Sequence, residues 1–167
     1  MSNDRIIWDK LTAAGLTSAG AAGLMGNLYA ESGLNPKNLQ NSYEKKLGFT
    51  DETYTAAVDC GAYTGFADDR AGYGLAQWTH PSRKTGLLLH SRIQECSIGN
   101  LDMQVGYLLQ ELRDLFPALR RRLTGTASVR EASDAVLLGF ERPASIAEPQ
   151  KLQGDKRPPG QTGPGVL

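Results

Sequence analysis

The stretch from Ser18 to Ser32, which reads Ser-Ala-Gly-Ala-Ala-Gly-Leu-Met-Gly-Asn-Leu-Tyr-Ala-Glu-Ser, decides the fold of this chain. Thr17 or Ser18 is a good N-cap, and Ser32-Gly33 predicts the end of the helix. A glycine inside a helix costs about 1 kcal/mol relative to alanine. Three glycines among so many small residues therefore predict a central helix that its neighbours approach closely.

The rest of the chain is predicted to be mainly α-helical around this element. Ile7, Leu11 and Ala14 fall on one face of a helix at about residues 4–14. Further helices are expected at about residues 51–58, from Pro81 to before Gly99, over residues 101–112, from Pro117, and from Val129 to Phe140. Residues 38–48 are predicted to form a loop, and residues 60–75 are predicted to form turns or a short β-hairpin.

The composition predicts one domain and a tail. Residues 1–143 are expected to form a single α-rich domain. Residues 144–167 hold four of the eight prolines and almost no large apolar residues, so this tail is predicted to be flexible. The 18 basic and 18 acidic residues balance, which argues against a nucleic-acid partner. Arg120–Arg122 is interpreted as a solvated helix face.

Other features exclude several classes of protein. No apolar run approaches the roughly 20 residues of a membrane span, and residues 1–5 show no signal-peptide pattern. We expect a soluble chain that stays in the cell, is exported with other proteins, or is part of a longer protein. Cys60 and Cys96 do not make a disulfide framework and are expected to be buried free thiols. His80 and His90 have no ligand-spaced partners, so neither a metal nor a cofactor is expected.

Glu31 is the first candidate catalytic residue. Glycoside hydrolysis requires a carboxylic acid whose raised pKa lets it protonate the leaving oxygen. Apolar neighbours raise a carboxyl pKa by desolvation, and Tyr29, Leu28 and Leu34 flank Glu31 in the sequence. A solvated glutamate at a helix end is the alternative interpretation.

A second run, Asp69-Arg70-Ala71-Gly72-Tyr73-Gly74-Leu75-Ala76-Gln77-Trp78-Thr79, lies about 40 residues further on. Its glycines allow a sharp turn that approaches a ligand closely. Tyr73 and Trp78 are candidates to stack on a sugar ring, and Gln77 to bind its hydroxyl or acetamido groups. The alternative is that Trp78 belongs to the core and Gln77 to the surface.

Together these runs resemble the lysozyme-like superfamily, which includes goose-type lysozymes and lytic transglycosylases. Gly26-Asn27-Leu28-Tyr29-Ala30-Glu31-Ser32 and the Gly72–Thr79 run are most similar to the lysozyme domains of phage tails and of related prophage and conjugative-element hydrolases. Phe140-Glu141-Arg142-Pro143 resembles a closing segment of that family. The resemblance implies a mainly α, lysozyme-like α+β fold over about residues 5–143.

The resemblance also implies a muramidase that acts on bacterial peptidoglycan. Glu31 matches the general acid, and Asp69 matches an acidic residue that precedes the glycine turn in goose-type enzymes. Asp68 and Asp59 are alternatives for this second role. Thr79 stands where goose-type enzymes carry another aspartate, and its hydroxyl is a candidate to hold a water.

Further expectations follow from the same resemblance. Ser32 and Gly74 join Tyr73, Gln77 and Trp78 as expected substrate-binding residues. Action in a virion tail or at the cell wall is implied, with other tail or secretion proteins as possible partners. A lytic transglycosylase, which needs only the acid, remains an alternative mechanism.

Two other classes of protein remain open. Cys60 with His80 or His90 would suit a cysteine peptidase or amidase acting on the peptide stems of the wall. The chain would alternatively be a non-catalytic glycan-binding or structural tail module. Glu141 is expected to stabilise a helix end or pair with an arginine.

Overall fold

The computed structural model describes residues 1–140, so Glu141 and the predicted tail over residues 144–167 lie outside the described residues. Eight helices are present in that part of the chain: α1 (Asn3–Ala13), α2 (Ser18–Ser32), α3 (Asn41–Leu47), α4 (Asp51–Asp59), α5 (Pro81–Ile93), α6 (Leu101–Asp114), α7 (Pro117–Gly125) and α8 (Val129–Gly139). The prediction of a mainly helical fold is confirmed. Within residues 1–140, no helix is long and apolar enough to cross a membrane.

The small-residue helix α2 is central, as its glycines predicted. It packs against α1, α7 and α8. A Cβ on Gly20 would collide with the backbone carbonyl of Leu123, and one on Gly23 would lie 2.5 Å from the Cβ of Ala132. Glycine is therefore required at both positions, because a larger side chain would separate α2 from α7 and α8.

Most of the residues that predict where helices begin, namely N-cap side chains and first-turn prolines, occupy those positions in the structure. The side chains of Thr17, Thr50, Asn100 and Ser128 accept hydrogen bonds from the first turns of α2, α4, α6 and α8. Proline occupies the first turn of α5 and α7, where its missing N–H costs nothing.

One prediction of local structure is corrected, and a second is decided between its two alternatives. Residues 38–48 are not all loop, because α3 forms there. The apolar residues of this helix, Tyr43 and Leu47, are only half-buried against the core, so its apolar period is short, and the left-handed Gly48 at its end was the clearest signal. Of the turns or short β-hairpin expected over residues 60–75, turns are observed. Two isolated antiparallel bridges, Leu39 to Tyr73 and Tyr73 to Trp78, connect three short segments in the described part of the chain.

Candidate functional site

A polar cleft of about 450 Å³ opens between the end of α2, the start of α3 and the turn after Tyr73. Its lining is rich in carboxamide and hydroxyl side chains and consists of Glu31, Asn38, Gln40, Asn41, Ser42, Ala76, Gln77 and Thr79. The cleft thus brings together three residues that the sequence nominated, Glu31, Gln77 and Thr79.

Glu31 is the one acidic residue that lines this cleft within the part of the chain that the structure describes. Its side chain is exposed, yet the surrounding protein desolvates the carboxyl enough to raise its pKa above the usual 4.5. Within residues 1–140, no hydrogen bond or ion pair to its carboxyl is formed. A carboxyl in this state keeps its proton to a higher pH than a free glutamate and has that proton available for a ligand.

Ser32 fixes the end of α2 beside the second motif. Its hydroxyl lies within hydrogen-bond distance of two carbonyls, that of Leu28 at 3.0 Å and that of Leu75 at 2.8 Å. Gly33 then ends the helix in the left-handed region, with φ of 63°. Ser32 is buried, so its expected contact with substrate is corrected to a contact with the turn that faces Glu31.

The turn from Tyr73 to Trp78 is closed by backbone hydrogen bonds in both directions between these two residues, at 3.1 and 3.0 Å. Gly74 adopts φ of 82°, and a Cβ there would lie 2.8 Å from Gln104 Oε1. Gln104 is fully buried. Its amide accepts from the Leu75 N–H and donates to the carbonyls of Pro36 and Ile98.

Gln104 is therefore a support for the cleft that the sequence did not indicate, because its position on α6 looks like any polar residue of an amphipathic helix. Gly74 leaves room for the close approach of the Gln104 amide to the turn. It does not line the cleft.

Gln77 and Thr79 reach the cleft from this turn. Gln77 has a left-handed backbone with φ of 49°, and its Nε2 donates to the carbonyls of Asn38 at 2.8 Å and Gly74 at 3.1 Å. The Thr79 hydroxyl donates to the Gln77 carbonyl at 2.8 Å. Both side chains are partly tied to backbone and keep one polar face toward the cleft.

Tyr73 and Trp78 point into the core, which corrects their expected role in stacking on sugar. Both are at most 1% exposed. The Trp78 indole N–H donates to Glu111 Oε1 at 2.8 Å, and Glu111 is paired through both oxygens with Arg83. The Tyr73 hydroxyl shares a hydrogen bond with Thr55. These aromatic residues hold the turn and present no ring face to a ligand.

Asp69 lies in a second buried cluster and does not line the cleft. Its side chain is 4% exposed and pairs with the fully buried Lys84, with 2.6 Å between Asp69 Oδ1 and Lys84 Nζ. The hydroxyls of Tyr54 and Tyr63 donate to Oδ2 at 2.7 and 2.9 Å. The Ala71 N–H donates to Oδ1 at 2.9 Å.

All the acceptor positions of Asp69 are therefore occupied by the protein, as a carboxylate that must remain charged in the interior requires. Burial lowers the pKa of Lys84, and the adjacent carboxylate opposes that change. Burial, reinforced by Asp69, raises the pKa of Tyr63 to about 12, so this phenol stays a donor. The expected placement of Asp69 beside the reacting sugar is corrected to a structural position.

The remaining candidates are placed elsewhere. Asp59 binds the Ser97 hydroxyl and the Ile98 N–H, and Asp68 is exposed outside the cleft lining. Cys60 and Cys96 are free thiols, but Cys60 is exposed and Cys96 half-buried, which corrects the expectation that both are buried. Cys60 contacts the Ala57 carbonyl. His80 caps α5 through Ser82, and His90 contacts Gln94. None of the hydrogen bonds in residues 1–140 joins a cysteine to a histidine, and no group of three potential metal ligands is found there.

Four residues of the cleft wall were missed by sequence reasoning, namely Asn38, Gln40, Asn41 and Ser42. They precede or begin α3, a helix in a stretch that the sequence predicts to be loop. The available signal was their composition, since five consecutive positions from Asn38 to Ser42 hold three carboxamides and one hydroxyl.

A family model described as phage tail lysozyme matches residues 2–156. No curated protein and no solved structure matches the chain. The match covers most of the sequence and indicates a lysozyme-like activity directed at peptidoglycan. The chain therefore belongs to the phage tail lysozyme family.

Proposed function

We propose that the chain is a muramidase that cleaves the β-1,4 bond between N-acetylmuramic acid and N-acetylglucosamine, with Glu31 as the general acid. The observation that carries this proposal is a carboxyl in a polar cleft that has a raised pKa and no partner among residues 1–140. Protonation of the glycosidic oxygen by Glu31 lets the aglycone leave and generates an oxocarbenium-like centre. Water then forms the new bond to the anomeric carbon, and the proton that it loses passes to the Glu31 carboxylate and restores the acid.

Thr79 is proposed to position that water. Its hydroxyl hydrogen is committed to the Gln77 carbonyl, so its oxygen is free to accept a hydrogen bond from a water in the cleft. Asp69 is proposed as a positioning residue, because its carboxylate holds the start of the turn while Trp78 holds the end. Action from a virion tail or at the cell wall, together with other tail proteins, fits the family.

A lytic transglycosylase is the second candidate. One specific observation favours it, since the lining of the cleft over residues 1–140 contains a single carboxylate and an inverting hydrolase needs a second one about 6.5–9.5 Å away. In that reaction the 6-hydroxyl of the muramic acid attacks the anomeric carbon, and an anhydro sugar end results.

Purified peptidoglycan treated with the wild type and with Glu31→Gln tests both candidates. General acid catalysis contributes about 10²–10⁴-fold, so Glu31→Gln is expected to lose release of muropeptides by that factor. Glu95→Gln, an exposed position outside the cleft lining, is the matched control and is expected to act as wild type. Mass spectrometry of the products distinguishes reducing ends from anhydro ends. Equal release by wild type and Glu31→Gln would refute the role of Glu31.

A further inference from the structure

Gln104 is a buried carboxamide that bonds to backbone on both sides of the candidate site. It lies on α6 and is fully buried. Its Oε1 accepts from the Leu75 N–H at 2.9 Å, and its Nε2 donates to the carbonyls of Pro36 at 2.6 Å and Ile98 at 2.7 Å. Both amide hydrogens and the amide oxygen are used, so the orientation of the side chain is fixed.

Two of these three partners belong to the segments that form the cleft. Pro36 lies in the loop that follows α2 and Glu31, and Leu75 lies in the turn on the opposite side of the cleft. Among residues 1–140, no other side chain outside residues 31–36 and 72–79 forms hydrogen bonds to both of these segments. A single amide group therefore holds the loop and the turn at a fixed separation.

Leu75 extends this connection to the end of α2. Its carbonyl lies 2.8 Å from the hydroxyl of Ser32, the residue that follows Glu31. Leu75 is thus held by Gln104 through its N–H and by the end of α2 through its carbonyl. All three residues of this path are buried, so each bond persists only while α6, the turn and the end of α2 keep their places.

We propose that Gln104 is a positioning residue for the general acid. By holding Pro36 and Leu75 it sets the distance between Glu31 and the wall of the cleft that the turn forms. This inference rests on the proposed function. Gln104 does not line the cleft, so its contribution to the reaction is geometric. A displacement of about 1 Å at a reacting group can reduce the rate about 10²-fold.

The carboxyl of Glu31 distinguishes positioning from stability alone. A role in stability alone would lower the fraction of folded protein and leave the surroundings of this carboxyl unchanged. The surrounding protein raises its pKa by desolvation, and within residues 1–140 no other ionisable side chain lines the cleft. If the end of α2 moves away from the turn, water reaches the carboxyl and its pKa falls toward 4.5.

Gln104→Met provides the test, because it removes all three hydrogen bonds and keeps a side chain of similar length. We expect the pKa of Glu31, measured by NMR titration of its carboxyl carbon in the folded protein, to fall toward 4.5. Release of muropeptides per folded molecule is expected to fall about tenfold to 10²-fold. An unchanged pKa in folded Gln104→Met would overturn the proposal.

Met103→Ala is the matched control for lost stability. Met103 is buried next to Gln104 on α6, and its side chain forms no hydrogen bond to either segment. We expect this variant to be less stable and to keep the wild-type pKa of Glu31 and the wild-type rate per folded molecule. Equal changes in Met103→Ala and Gln104→Met would reduce Gln104 to a residue that supports stability alone.

Ser32→Ala keeps the test decisive if Gln104→Met does not fold. It removes one hydroxyl from the same path, and that hydroxyl forms no hydrogen bond to the Glu31 carboxyl. We expect the pKa of Glu31 to fall in the same direction as in Gln104→Met and by less. An unchanged pKa in Ser32→Ala would contradict the connection through Leu75.

The outcome is separable from that of the proposed function, because the NMR titration needs no turnover. A lowered pKa in Gln104→Met, with equal release by wild type and Glu31→Gln, would keep the positioning of the carboxyl and lose the muramidase proposal. Loss of release in Glu31→Gln, with an unchanged pKa in Gln104→Met, would show the reverse.

Discussion

Glu31 and Asp69 are the two carboxylates of the motif runs, and the structure treats them in opposite ways. Glu31 is exposed in a cleft and has no partner for its carboxyl among residues 1–140, whereas Asp69 is buried with four donors around it. A carboxyl that must give up a proton to a ligand needs a free oxygen. A carboxyl that must hold a turn needs all its oxygens occupied. The comparison separates chemistry at one site from support at the other.

Lys84 and Arg83 hold the two ends of the second motif. They are neighbours on α5, and they bind the two ends of the second motif, Lys84 through Asp69 and Arg83 through Glu111 and Trp78. The motif is thus tied at each end by a buried ion pair. The turn between them carries Gln77 toward Glu31.

The largest effect on stability is expected for Asp69→Asn. Removing one member of a buried ion pair leaves Lys84 without a counter-charge, which costs about 3–5 kcal/mol. Urea unfolding monitored by circular dichroism measures the loss. Asp68→Asn, at the exposed neighbouring position, is expected to stay within about 0.5 kcal/mol of wild type.

The double variant Asp69→Asn/Lys84→Met sharpens the same assignment. Removing both charges is expected to recover part of the loss, because an apolar replacement of a buried pair is often tolerated. If Asp69→Asn instead folded with wild-type stability and lost all activity, Asp69 would belong to the chemistry.

Trp78→Phe is expected to have the next largest effect. It removes the donor to Glu111 from the interior and leaves a small cavity, at a cost of about 1–3 kcal/mol. Activity of the folded protein is expected to change little, since the ring presents no face to the cleft. Trp8→Phe, at the other tryptophan, is the control in fluorescence-monitored unfolding. Loss of glycan binding with unchanged stability would return Trp78 to the site.

Gly72→Ala is expected to affect the cleft more than the fold. The new methyl group would press on the ends of Gln77, Gln40 and Thr79, and overpacking of this kind costs about 1–3 kcal/mol. Release of muropeptides is expected to decrease at saturating and at low substrate. Gly26→Ala, where a Cβ meets open space, is expected to gain up to about 1 kcal/mol through helix propensity. Unchanged activity in Gly72→Ala would place the reaction away from this part of the cleft.

The smallest effect is the pH dependence of stability at Glu31. The folded pKa is raised by desolvation, so the stabilisation present below pH 4.5 is lost as the pH rises through the folded pKa. Glu31→Gln is therefore expected to be more stable than wild type at pH 7 and equal to it at acid pH. Thermal unfolding across this range measures the difference. A variant less stable than wild type at pH 7 would indicate a favourable partner for the carboxylate.

The parts of the fold that local chemistry decides were predictable. N-caps such as Thr50 and Asn100, the proline at the start of α5 and the glycines of α2 each act on their own neighbours in sequence. Helix α3 was missed because it buries none of its residues, and burial is the origin of an apolar period.

The site, like the fold, was predictable only in part. Glu31, Gln77 and Thr79 line the cleft, but the burial of Asp69 and Trp78 depends on Lys84 and Glu111, which are 15 and 33 residues away in sequence. No spacing rule identifies such partners. From sequence alone, any polar residue of a helix is expected to face solvent, and only the folded structure shows which ones are buried. Asn38 and Gln40 precede α3 in a stretch that resembles loop in sequence, so no spacing rule assigns their carboxamides to the cleft either.

The most direct test of the account measures both activity and the free energy of unfolding for Glu31→Gln and Asp69→Asn side by side. The account predicts that Glu31→Gln loses about 10²–10⁴-fold in muropeptide release while remaining at least as stable as wild type at pH 7. It predicts that Asp69→Asn loses about 3–5 kcal/mol while its folded fraction still cleaves. The reverse pattern, with a stable but inactive Asp69→Asn and an active Glu31→Gln, would contradict it.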